Sequence, residues 1–193
     1  MRKALACVFA LGLMAAMAAS AQADPEGSAV AAVHVKVVPN ISVTPQVPIV
    51  DAGSIQIGDL TGMIPFVVHA NTEAVTMWVC ATDLYKGDDP VNPTVDPIPL
   101  NLSAGATIDP SGANVLGGGS NVASFVGTCA IGDFPAAESE RIAFESKDNG
   151  TFSHDVMVTV VWTLSNNEQP QGDYGGRVML SAMVMPGGSP IGG

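Results

Sequence analysis

From Val33 to Ile49 the strongly apolar residues other than Val38 fall on odd positions: Val33, Val35, Val37, Ile41, Val43, Val47 and Ile49. His34, Lys36, Asn40, Ser42, Thr44 and Gln46 lie between them. A period of two predicts extended chain with one apolar side. An ordinary strand ends after about five or six residues, but this run continues through Pro39, Pro45 and Pro48 without losing phase. Its apolar side needs burial and its backbone groups need partners. It is therefore either a strand of its own domain or a strand destined for a neighbouring molecule.

Similar alternation recurs along the chain. Ser54–Leu60 carries Ile55 and Ile57, and Met63–Ala70 puts Ile64, Phe66, Val68 and Ala70 on one face, with Pro65 marking an edge or a bulge. Val75, Met77, Val79 and Ala81 alternate with Thr76, Trp78, Cys80 and Thr82. From Lys86 to Pro99 an exposed loop is expected, because Pro90, Pro93, Pro97 and Pro99 remove backbone donors and the aspartates favour turns. A short strand near Ile98–Leu102 and a Gly/Asn/Ser stretch over Ser111–Asn121 lead to Val122, Phe125 and Val126. Three clearer strands follow: Arg141–Ser146, Val156–Leu164 and Val178–Val184. No sustained three-and-four spacing occurs after the first residues, so the fold class is all-β. Eight or nine short strands without crossover helices predict an immunoglobulin-like antiparallel β-sandwich, with barrel closure as the alternative.

Residues 1–23 are read as a secretory signal peptide. Arg2 and Lys3 precede an apolar run over Ala4–Ala19, and Ala21-Gln22-Ala23 supplies small residues for cleavage. That run is too short for a membrane span, and no later one is longer. Removing it takes two of the seven basic residues and none of the eighteen acids, so the formal charge of the remainder is −13. Such a surface repels phosphate backbones and anionic lipid, which argues against nucleic acid as a partner. Cys7 leaves with the leader, and Cys80 and Cys129 are expected to bond in an exported chain.

Candidate chemistry is sparse. His34, His69 and His154 lie in different strands, each read as opposite its strand's apolar face, and no two have metal-ligand spacing. His154-Asp155 lacks a G-x-S-x-G partner, so no catalytic residue is assigned. Asp83, Asp88, Asp89 and Asp96 lack a D-x-D-x-D-G calcium loop and are read as a solvated acidic turn. Gly117-Gly118-Gly119 lacks the lysine and the strand-to-helix setting of a phosphate cradle. No metal or cofactor is expected. Met157, Met179, Met183 and Met185 lie off the core face and are read as edge packing or a contact surface, whereas Trp78 and Trp162 belong in or beside the core.

Two ends of the chain resemble fimbrial subunits of the chaperone–usher superfamily, nearest to the colonisation-factor type. VHVKVVPNISVTPQVPIVDAG, from Val33, is similar to the N-terminal extension of such pilins. Gly172-Asp173-Tyr174-Gly175-Gly176-Arg177-Val178-Met179-Leu180 is similar to their G-x-Y-x-G-x-V-x-L box. The chain departs from colonisation-factor pilins in carrying cysteines, and its spacing is not the early-strand disulfide of classical pilins. The resemblance implies an immunoglobulin-like sandwich that lacks its last strand, with residues 24–43 as donor extension and 44–193 as the body. Val33, Val35, Val37, Ile41 and Val43 would insert into a groove lined by Tyr174, Val178, Leu180, Ala182 and Val184 of the next subunit. The implied partners are other copies or related pilins, a periplasmic chaperone and an outer-membrane usher, with export through the periplasm to a surface fimbria and no catalysis. The alternative is a self-contained secreted or periplasmic binding protein, in which the leading segment is simply its first strand.

Overall fold

In the computed structural model, the valine-rich run near the C-terminus becomes half of a long central strand pair. Residues 32–148 and 150–185 are described; the signal peptide read over residues 1–23 lies outside them. Two units divide at Val37/Val38. Of the first, residues 32–37 carry no strand, and Val33, Val35 and Val37 are 85, 79 and 76% exposed.

The second unit is all-β. Its strands are β1 (Ile41–Pro45), β2 (Gly58–Ala70), β3 (Ala74–Thr82), β4 (Tyr85–Lys86), β5 (Ala106–Pro110), β6 (Ala113–Val115) and β7 (Val122–Ala123). They continue with β8 (Phe125–Ile131), β9 (Phe134–Ser139), β10 (Ile142–Ser146), β11 (Phe152–Leu164), β12 (Tyr174–Gly175) and β13 (Val178–Val184). One sheet runs β1-β2-β11-β5-β7. The other runs β6-β10-β3-β9-β8, with β13 on the opposite flank of β3, and β4 and β12 form a separate small ribbon. All the strand pairings are antiparallel.

The two sheets bury their apolar faces against each other, which makes the domain a β-sandwich. Phe66 and Val68 from β2, Ile108 from β5 and Val156, Val158 and Val160 from β11 meet Val75, Met77 and Val79 from β3, Phe144 from β10 and Leu180 from β13. Trp162 ties the layers: its indole N–H donates to the Thr82 carbonyl at 2.7 Å. Gly62 makes room for the ring, since a Cβ there would stand 2.7 Å from Trp162 Cζ3. Trp78 lies on the other face of β3, half-buried under the Arg141 guanidinium, 4.5 Å from the ring centroid.

Several expectations change in detail. The alternation over 33–49 yields only the five-residue β1; the chain bends at Gln46–Pro48, and Ile49 is 85% exposed. The cause lies in the neighbouring strand. Gln46 N–H donates to Pro65 O at 2.9 Å, but Pro65 has no N–H to return the bond, so the ladder stops there. Pro65 lies where β2 becomes an edge: the β1 ladder ends at Phe66, from there back to Gly58 β2 keeps β11 alone, and the missing donor is directed past the end of β1. Ser54–Leu60 is not a separate strand, because β2 begins at Gly58. Ile98 and Leu100 are buried but form single bridges, to Leu84 and Trp162. His154 faces the core and not solvent: it is buried, bonded through Nε2 to Ser146 Oγ at 2.8 Å, and edge-on to Phe152.

Cys80 of β3 and Cys129 of β8 form a disulfide with their Cα atoms 6.4 Å apart. Replacing both with serine should lower stability by roughly 3 to 4 kcal/mol on the chain-entropy account of a loop this long. Urea unfolding of the oxidised protein and of the double variant measures the difference.

Candidate functional site

Among the described residues, β13 has a strand on one side only. β13 pairs with β3 from Val178↔Ala81 to Val184↔Val75, and among the described residues no strand pairs with its other side. The ladder can be phased from its first bond, in which Thr82 N–H donates to Arg177 O at 3.0 Å. In an antiparallel pair, bonded and non-bonded positions alternate, so Met179, Ser181 and Met183 direct their backbone groups at β3. The N–H and C=O of Val178, Leu180, Ala182 and Val184 therefore point to the open side. Val79 N–H agrees with this phase, since it turns away from β13 to Ser139 Oγ at 2.9 Å.

β1 presents a similar edge on the other sheet. Asn71 N–H donates to Asn40 O at 3.2 Å, and Ile41↔Ala70 follows in register. Alternation then directs the backbone groups of Ile41 and Val43 away from β2. Pro45 shares that direction but has no N–H to offer. β1 and β13 approach each other where the two sheets meet. Among the described residues no backbone bond crosses this seam. Side chains line it: Ile41 and Val43 from one strand, Val178 and Ala182 from the other, all partly buried against the core, to which Leu180 belongs.

Five residues expected in a groove are thus distributed unevenly. Val178, Leu180, Ala182 and Val184 share the inward face of β13. Tyr174 instead holds the approach to that strand: its hydroxyl donates to Pro170 O at 2.7 Å and lies 3.1 Å from Gln169 Nε2. The glycines beside it permit close backbone approach. A Cβ on Gly176 would fall 2.7 Å from Asp83 O, and one on Gly175 would fall 2.8 Å from Asp88 Oδ1. Of the five residues expected to donate, Ile41 and Val43 belong to β1 of their own sheet, whereas Val33, Val35 and Val37 are exposed and in no strand.

Exposed edges are ordinarily guarded by charge. Arg177 is the nearest cation, but it is engaged elsewhere. Its guanidinium takes Asp88 in a two-pronged ion pair and lies 4.5 Å over the Phe134 ring, whose edge meets Tyr85. Sequence reading missed this cluster, since nothing local links positions 88, 134 and 177. It also missed Asn71, whose side chain accepts from Asn40 N–H at 2.6 Å and donates to Val38 O at 2.9 Å. The only available signal was an asparagine at the end of an alternating run.

The remaining candidate chemistry stays dispersed. His69 bonds Ser153 Oγ at 2.6 Å on the exposed face of β2, and His34 lies in the 32–37 segment. Asp89 accepts from the backbone of Val91 and Asn92 at 3.1 Å. Among the described residues no group of three His, Cys, Asp or Glu is placed to hold a metal, and no helix is long and apolar enough to cross a membrane. Neither a family model, a curated protein nor a solved structure matches the chain.

Two outcomes test this description. Tyr174→Phe removes the hydroxyl bond to Pro170 and should cost about 0.5–1.5 kcal/mol, read as a shift in urea midpoint at unchanged slope. Burial, with the charge of Asp83 second, raises the Tyr85 hydroxyl above its ordinary value. The folded state thus holds that proton more tightly than the unfolded one. Its contribution is complete below about pH 10 and is lost as pH climbs through the folded value; thermal unfolding across that range should fall less steeply in Tyr85→Phe.

Proposed function

We propose that this protein is a structural subunit of a bacterial surface fimbria or related filament, assembled when the leading segment of one copy enters the β1/β13 seam of the next. The observation that carries the reading is the unguarded edge of β13, whose outward backbone groups belong to the residues whose side chains face the core. A strand entering there gains a ladder of backbone bonds and places alternate side chains inward. Val33, Val35 and Val37 have that two-residue spacing and are exposed in their own chain. Ile41 and Val43 stay home in β1, so the donor is the shorter segment around Val33–Val37.

The strand order supports the same reading. In an immunoglobulin domain strands A, B, E and D form one sheet, and C, F and G the other. Here β1-β2-β11-β5 corresponds to A-B-E-D, and β3-β13 to C-F. Nothing among the described residues occupies the place of G. The Tyr174 hydroxyl bonded to the backbone four residues upstream, just before β13, matches the tyrosine corner that precedes strand F. A head-to-tail contact of this kind does not close on itself and so builds a fibre. A periplasmic chaperone and an outer-membrane usher are the partners this reading assigns.

The second reading is a self-contained binding protein, favoured by the placement of Ile41 and Val43 in the chain's own sheet. Val35→Arg separates the two, because residue 35 is exposed in the monomer but faces inward in a donor strand. Electron microscopy of cells expressing the variant should show loss of filaments, with monomer folding unchanged by circular dichroism. Normal filaments on the variant cells would count against strand insertion.

A further inference from the structure

A subunit that donates a strand has a problem of its own: its leading segment is joined directly to β1, one wall of its own seam. A short tether gives an effective concentration on the order of millimolar, well above the micromolar concentration of free copies in an ordinary preparation. Unless something prevents it, the segment closes on its own chain and assembly stops. We propose that Val38-Pro39-Asn40 and the side chain of Asn71 form a block against this self-closure, with Pro39 and Asn71 acting as positioning residues. The inference rests on the strand-insertion reading above and adds to it the device that directs the strand outward.

The block follows from register. To return beside β1, the chain must reverse between Val37 and Ile41. The tightest reversal uses Pro39 and Asn40 as its two central residues, a favourable pair for a turn. It sets Val38 opposite Ile41, Lys36 opposite Val43 and His34 opposite Pro45. Residues opposite each other across a strand pair share a face, and Ile41 and Val43 face the core. This turn would therefore drive Lys36 and His34 inward and leave Val33, Val35 and Val37 outside. One residue of slip reverses every side chain.

A three-residue reversal through Val38, Pro39 and Asn40 restores the phase, placing Val37 opposite Ile41 and Val35 opposite Val43. Its usual backbone is a type I turn followed by a left-handed residue. Pro39 then falls at the third position of the turn, where it forces the preceding residue out of the helical conformation that the turn needs. Asn71 adds a second lock on the same three residues. Its backbone N–H holds Asn40 O at 3.2 Å, its Oδ1 holds Asn40 N–H at 2.6 Å, and its Nδ2 holds Val38 O at 2.9 Å. These bonds carry the β1 ladder past Ile41 and tie Val38 and Asn40 to the end of β2. A reversal must break the two made by the side chain.

Two variants of the full mature chain test the block. Pro39→Gly with Asn71→Ala removes the lock and permits the three-residue turn. His34→Val with Lys36→Val makes the two-residue turn acceptable and alters only the exposed segment, so it serves even if the first variant folds poorly. The readouts are binding of a labelled peptide of residues 32–38, by fluorescence anisotropy at sub-micromolar protein, and mass by light scattering. Wild type should bind the peptide, and each variant should bind it at least about tenfold more weakly while remaining monomeric, because its own segment occupies the seam. Both variants binding as tightly as wild type would overturn the block. Absence of peptide binding to wild type is resolved by Val35→Arg, whose own segment cannot enter the seam: binding by that variant alone means that wild type closes on itself and overturns the block, whereas binding by neither removes the strand-insertion reading itself.

Discussion

Backbone hydrogen bonding at one sheet edge governs how this domain can be used. A sandwich satisfies its interior by pairing strands, and each edge leaves a row of donors and acceptors in need of partners. On β13 those outward groups belong to Val178, Leu180, Ala182 and Val184, whose side chains face the core. The outward edge and the core are therefore built from the same residues. Guarding the edge with a charge at any of these four positions would put that charge against the core, which is strongly destabilising. Arg177, one residue before the strand, is the natural guard, but its pairing with Asp88 and its stacking on Phe134 hold it away.

Much of the sandwich was legible from period alone. Val75–Ala81, Val156–Leu164 and Val178–Val184 all became strands with the expected faces, since each has enough alternating residues to fix its phase. The loop rich in proline and aspartate near Asp88 also lies largely at the surface. His154 lies on the core face because it shares the parity of Val156, Val158 and Val160, and its burial follows from that parity once Ser146 supplies a partner. Register outweighs polarity at this position. A histidine with one hydrogen bond and an aromatic neighbour is cheap enough to sit on a core face.

The site was legible in composition but not in extent. Alternation over 33–49 could not show where β1 stops, because the stop is set by Pro65, a residue of the partner strand. Nor could it show where β1 starts, which Asn71 fixes from beyond the far end of β2. Both limits are non-local, and a period carries no information about pairing partners. The run therefore split into an internal strand with Ile41 and Val43 and an exposed segment with Val33, Val35 and Val37. One half of the run is an internal strand, and the other is the donor only in the proposed assembly.

That split changes the energetics of insertion. Three valines buried at roughly 1.5 to 3 kcal/mol each offer about 5 to 9 kcal/mol, against an association cost of about 4 to 15 kcal/mol. Side-chain burial alone leaves the contact near balance. The backbone decides: each bond in the ladders to β13 on one side and β1 on the other adds about 0.5 to 1.5 kcal/mol and shifts the balance toward insertion. Those bonds become available only when β1 and β13 move apart, since the two strands lie against each other in the free domain. Insertion thus has a barrier made of apolar contacts that must be broken before any ladder forms. A factor that holds the seam open lowers that barrier without changing the final balance, and this is the physical role a chaperone would have in the proposed assembly.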